Sequence, residues 1–173
     1  MSTRTIIMKT VFTFAFALFL LTLVSCSEEE EPRSPIIGTW EERNYSSFSD
    51  IWFVDNYNFK NDSIFDLVAT VRETENGEDL GYRYITTGKY SLEGNIFQYY
   101  YSDALICFKG SSETIYGKKE DLKPGIMDFF RVPKGEITFA DDFSKFTFQE
   151  DCWQMSDSED CMEFPLQTFI RVD

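Results

Sequence analysis

IFDLVATVRE, residues Ile64 to Glu73, sets Phe65, Leu67, Ala69 and Val71 on one side of the chain and Asp66, Thr70 and Arg72 on the other. A period of two with one apolar face is the pattern of a β-strand half buried in a sheet. The same texture, short aromatic and β-branched runs broken by turn residues, extends in both directions. Upstream lie Ile36 to Tyr45 and Ile51 to Lys60, followed by the turn KNDS. Downstream, the turn ENGEDLG leads into Tyr82 to Leu92, and Glu93-Gly94-Asn95 turns the chain tightly into Ile96 to Ser102, with Ala104 to Lys109 next. Ile126 to Val132, Glu136 to Phe139, Lys145 to Glu150 and Glu163 to Val172 complete the set. Between them GSSETIYGKKEDLKPG, Gly110 to Gly125, is long, polar and glycine-rich, the best candidate for a lid. Neither helical periodicity nor an internal repeat interrupts the pattern. Evenly spaced strands joined by short turns predict an all-β fold, an up-and-down antiparallel β-barrel of about 8–10 strands once neighbouring runs merge, because closure leaves no exposed edge. A β-sandwich of two facing sheets is the alternative.

The chain starts differently. Arg4 and Lys9 precede the apolar run VFTFAFALFLLTLV, Val11 to Val24, the layout of a secretory signal. Its fourteen residues fall short of the roughly 20 that span a bilayer. Residues 1–25 therefore read as a signal peptide. Residues 26–35 read as a cysteine followed by the tether SEEEEPRSP, whose nine residues reach at most about 30 Å. Residues 36–173 then form one domain, and the 148 residues after the signal suffice for a sizeable core.

The formal charge is −14, and without Arg4 and Lys9 fourteen Lys and Arg face 30 Asp and Glu, a net of −16. A polyanion of this size is repelled by nucleic acid, so no nucleic-acid partner is expected. The chain has no histidine, which removes the commonest catalytic base and a leading zinc ligand. Cys152 and Cys161 flank a short polar loop, CWQMSDSEDC, that a disulfide could close; Cys107 in ALICFKG reads as a small buried apolar residue, and spacing leaves its pairing with either of the others open.

Leu23-Val24-Ser25-Cys26 resembles the lipobox of bacterial lipoproteins. That resemblance implies cleavage before Cys26 and acylation of this residue, palmitate-type chains included, and two or more such chains anchor stably at about 0.8 kcal/mol per buried methylene. Gly38-Thr39-Trp40 is similar to the Gly-x-Trp of the lipocalins, barrels that hold small apolar molecules. With FKNDSIF, TGKYSLEGNIFQYY and ITFADDFSKFTF in order behind it, the chain resembles the small lipocalin-like lipoproteins of Bacteroidota. The resemblance implies that Trp40, with Gly38, closes the barrel floor and that Arg171 stacks over its indole. It implies also that Ser27, Glu28, Glu29, Glu30 and Glu31 form an outward export signal, placing the protein on the cell surface at the outer membrane. Asp62-Ser63-Ile64 fits the O-glycosylation acceptor pattern of that phylum, at Ser63.

Aromatic residues make up 17% of the chain. On alternating strand positions Tyr82, Tyr84, Tyr90, Phe97, Tyr99 and Tyr101 are the candidate lining of a ligand pocket, against which stands a barrel filled by its own side chains. The DSED loop lacks the spacing and glycine of an EF-hand, and no phosphate loop, nucleophile elbow or zinc spacing occurs. No catalytic residue, metal or cofactor is expected. The function these features imply is a lipid-anchored, non-enzymatic envelope lipoprotein binding a small apolar or amphipathic molecule. The alternative is a filled barrel that displays loops to a protein or glycan partner.

Overall fold

Among the described residues the chain forms nine strands, most of them two-faced: β1 (Gly38–Ser46), β2 (Ile51–Phe59), β3 (Ile64–Arg72), β4 (Asp79–Glu93), β5 (Ile96–Ile106), β6 (Lys123–Gly125), β7 (Lys134–Phe139), β8 (Lys145–Glu150) and β9 (Gln167–Arg171). The computed structural model describes residues 34–108, 115–127, 132–153 and 161–173, so the expected signal, lipobox and acidic run lie outside the described residues. Every ladder is antiparallel, and consecutive strands pair from β1 to β5 and from β7 to β9. β5 also pairs with β7, and β9 returns to β1 through Trp40↔Arg171, Glu41↔Ile170 and Glu42↔Phe169. Eight strands thus close into an up-and-down β-barrel, and β6 adds to β5 beside the ring. Closure rules out a sandwich of two open sheets.

The residues of the opening stretch behave as their alternation predicts: Phe65, Leu67, Ala69 and Val71 are fully buried. The inner rings meet edge to face or stacked. Phe146 and Phe169 lie 4.4 Å apart, Trp40 and Phe146 4.7 Å, Phe59 and Tyr90 5.0 Å. Burying each such side chain contributes about 1.5–3 kcal/mol, and favourable ring geometry adds to it.

Several element boundaries differ from the pattern reading. The runs ending at Ser102 and starting at Ala104 are one strand, β5, because a register shift opposite Thr86 to Gly88 absorbs the irregularity without breaking the ladder. Ile126, Met127 and Val132 are not in a strand, and 128–131 lie outside the described residues. The Glu163 to Val172 run contracts to β9; Pro165, lacking an amide hydrogen, precedes it. The described part of the expected lid, 115–125, holds a 3-10 turn (Lys119–Asp121) and β6, and Gly117 is bridged to Tyr82. It is bonded to the wall.

The barrel has two unlike ends. At the turn end, β2–β3, β4–β5 and β7–β8 are joined by short turns. The two longest connections, 107–133 and 151–166, both leave from the loop end.

Candidate functional site

At the turn end Trp40 is fully buried, and its indole Nε1 donates to the Ile36 carbonyl at 2.7 Å. Ile36, also fully buried, joins the same core cluster. The Arg171 guanidinium carbon lies 4.8 Å from the Trp40 ring centroid, and its Nη2 donates to the Ile37 carbonyl at 2.7 Å. Asp173 completes the cluster, accepting from Arg171 Nε at 2.9 Å and from the Thr39 amide at 2.9 Å. Gly38, at φ +132°, leaves the space these groups use: a Cβ there would sit 2.7 Å from both Arg171 Nη2 and Asp173 Oδ2.

The lumen changes character towards the loop end. Register places Glu42 opposite Asp55 and Asp55 opposite Ala69, so both acids share the inner face with Trp40, Tyr57 and Leu67. A bulge on β4 sets Ala69 against Tyr84 but Thr70 against Tyr82, leaving Arg83 as the extra residue. Arg83 turns inward: it pairs with Asp55 and lies over the rings of Phe53 at 4.6 Å and Tyr84 at 5.2 Å. The Tyr84 hydroxyl donates to Asp55 Oδ2 at 3.1 Å, and the hydroxyls of Tyr57 and Tyr101 lie 3.4 Å apart. Burial pushes the Asp55 carboxyl up, against the opposing pull of Arg83 and Tyr84. Burial likewise raises Glu42, to whose Oε1 Asn44 Nδ2 donates at 3.0 Å. Arg83 Nε and Gln167 Oε1 are buried without a hydrogen-bond partner among the described residues. The interior therefore runs from an aromatic turn end to a polar, partly unsatisfied loop end.

Of the candidate lining residues, Tyr84, Tyr90, Phe97, Tyr99 and Tyr101 all pack in or against this core cluster. Tyr90 and Phe97 are almost completely buried in the ring packing of the turn end, and the Tyr90 hydroxyl donates to the Asn61 carbonyl at 2.5 Å. Tyr82 does not join them. Counting by twos from Tyr84 crosses the bulge, so Tyr82 shares the outer face with Thr70. Glu42 and Asp55 were missed, though each interrupts an inward apolar series, after Trp40 and before Tyr57. Nothing in the sequence marks Arg83 as inward.

Cys152 and Cys161 form a disulfide, Cα atoms 5.6 Å apart, and Cys107 is a half-buried free thiol rather than a buried one. Ser63 is exposed in a turn in which Asn61 Oδ1 accepts from its hydroxyl at 3.1 Å and from its amide at 3.0 Å. The DSED acids lie outside the described residues. Among the described residues no three His, Cys, Asp or Glu side chains converge to hold a metal ion, and no helix is long and apolar enough to cross a membrane. The chain matches no family model, no curated protein and no solved structure.

Proposed function

We propose that this protein is a lipid-anchored envelope lipoprotein whose lipocalin-like barrel binds a small amphipathic molecule without transforming it. The observation that carries the proposal is the polarity of the lumen. Packed aromatic rings fill its turn end, whereas Asp55, Arg83 and Tyr84, with Arg83 Nε and Gln167 Oε1 unpartnered among the described residues, line its loop end. The apolar body would rest against Tyr99 and Tyr101, and the head would engage the Arg83 side of the lumen. Native mass spectrometry of the full-length protein purified from membranes tests this: a releasable small-molecule mass is expected, and Arg83→Met should lower its occupancy. Absence of any adduct in the native protein, together with no uptake of a fluorescent fatty amphiphile, would sink the carrier role.

The anchor is proposed on the apolar run, Cys26 and the acids behind it. Metabolic labelling with an alkyne fatty acid should tag the protein and not its Cys26→Ala variant. The outward-facing outer-membrane location rests on Ser27 to Glu31. Protease shaving of intact cells should remove the domain; full protection would place it on the inner face. A mass decrease in Ser63→Ala is expected if Ser63 carries a glycan.

One observation favours the alternative, a filled barrel serving as a scaffold. Phe48, Ile126 and Phe108 are 98%, 86% and 62% exposed, and all three lie on connections at the loop end. Loss of partner capture on Phe48→Ser, with an empty lumen, would favour that role.

A further inference from the structure

The outside of a barrel is convex, yet one stretch of this wall is hollow. A groove of about 440 Å³ lies over β3, β4 and β5, with Val68, Ile85 and Leu105 on its floor and Tyr82, Asp103 and Lys119 around it. Its volume is within the range of small-molecule sites. Two register shifts bend the wall beneath it, one between Ala69 and Thr70 and one between Thr86 and Gly88. A third device raises a bank beside it. The Tyr82 amide donates to the Gly117 carbonyl at 2.8 Å, and the Gly117 amide to the Tyr82 carbonyl at 3.0 Å. Gly81 permits this approach, since a Cβ there would meet the Gly117 carbonyl oxygen at 2.8 Å. The bank carries the turn that brings Lys119 to the groove.

Charge narrows the occupant. Asp66, at the groove, is already paired with Lys60 at 2.5 Å. Asp103 and Lys119 are exposed and form no ion pair with each other or with any other described residue. Two residues of opposite charge, neither ion-paired with a described residue, therefore line the same groove. A wholly apolar molecule would use neither charge and a singly charged one only one of them, whereas a zwitterion complements both. We propose that this groove binds a dipeptide-sized zwitterion with apolar side chains, its ammonium set against Asp103, its carboxylate against Lys119, and its side chains on Val68, Ile85 and Leu105. The site is on the opposite face of the wall from the lumen and does not depend on the lumen being a carrier.

Leucyl-leucine is a suitable probe, titrated into the isotope-labelled full chain in detergent and followed by amide shifts. Saturable shifts at Ile85, Leu105 and Lys119 are expected. Because exposed ion pairs are worth little, blocking either end of the dipeptide, by N-acetylation or C-amidation, should weaken binding only about two- to fivefold. Asp103→Asn should weaken the free dipeptide by a similar factor and leave the acetylated one unaffected; Lys119→Gln should do the same with respect to the amidated one. Both positions are exposed, so neither substitution threatens folding. Three outcomes overturn the proposal: no saturable shift, blocked dipeptides binding as well as the free one, or shifts confined to lumen residues such as Tyr101.

Discussion

Gly38 and Arg171 are 133 positions apart in the chain and share one small space, since a Cβ on the glycine would be 2.7 Å from the arginine's Nη2. At φ +132° the glycine also occupies backbone territory nearly closed to other residues. Gly38→Ala should therefore destabilise the protein by at least about 1–3 kcal/mol, read as a lower urea midpoint with an unchanged slope. Arg171→Met keeps the length and loses the charge; it should cost about 0.5–2 kcal/mol for the ring contact, plus the hydrogen bond to Ile37. Legibility at this scale was uneven. Trp40 could be placed from its motif, and Phe65, Leu67, Ala69 and Val71 from their spacing, because burial of alternate positions is a local rule. Asp55 was readable in principle, as an acid on the inward side of Phe53, Tyr57 and Phe59. Arg83 was not, because its direction depends on a bulge that only the partner strand imposes.

Among the elements, β4 and β5 were recognisable by composition but not by register. The parity of Tyr82 reverses relative to Tyr84, and the two halves of β5 join across an irregularity that pattern alone reads as a break. Both departures sit on the wall where the outer groove lies, consistent with bulges re-aiming side chains near sites. The disulfide belongs to a different kind of element. Cys152 and Cys161 close a loop between β8 and β9, whereas the ladder joining those strands runs from Lys145↔Ile170 to Phe148↔Gln167 and does not include them. In the chain-entropy account so short a loop yields somewhat under about 3 kcal/mol. A Cys152→Ser/Cys161→Ser double variant should remain a folded barrel by far-ultraviolet circular dichroism while melting several degrees lower. Unfolding of that variant at room temperature would show that the loop does more than tie two strands.

For the molecule as a whole, buried carboxylates set the direction of the pH response. Burial raises Glu42 and Asp55 above their ordinary values of 4.5 and 3.8, so both hold protons more tightly when folded. Their contribution is complete below those ordinary values and is lost as the pH climbs through the folded-state pKa. Glu41 goes the other way. Burial would raise it, but hydrogen bonds from Arg72 and Arg43 outweigh that and hold it below 4.5, so its contribution is present above 4.5 and lost as the pH falls through its folded-state pKa. Thermal melts should accordingly show higher stability near pH 5 than at pH 8. Glu42→Gln should flatten that difference and gain roughly 1 kcal/mol at pH 8, the scale of a buried polar group only partly compensated by its hydrogen bond. Asp55→Asn should not gain, because it strands Arg83.

The seam of the ring carries a consequence in time. Its three residue pairs, Trp40 to Glu42 against Phe169 to Arg171, join β1 to β9, so Arg171 reaches its indole only after every other strand of the ring has been made. No N-terminal part of the barrel can close as it emerges. Closure of the ring therefore waits for β9, whichever strands have paired before it. A ribosome stall or a cut before β9 would leave an open sheet with two raw edges, an easy target for proteases. Trp40 in β1 thus registers the arrival of β9.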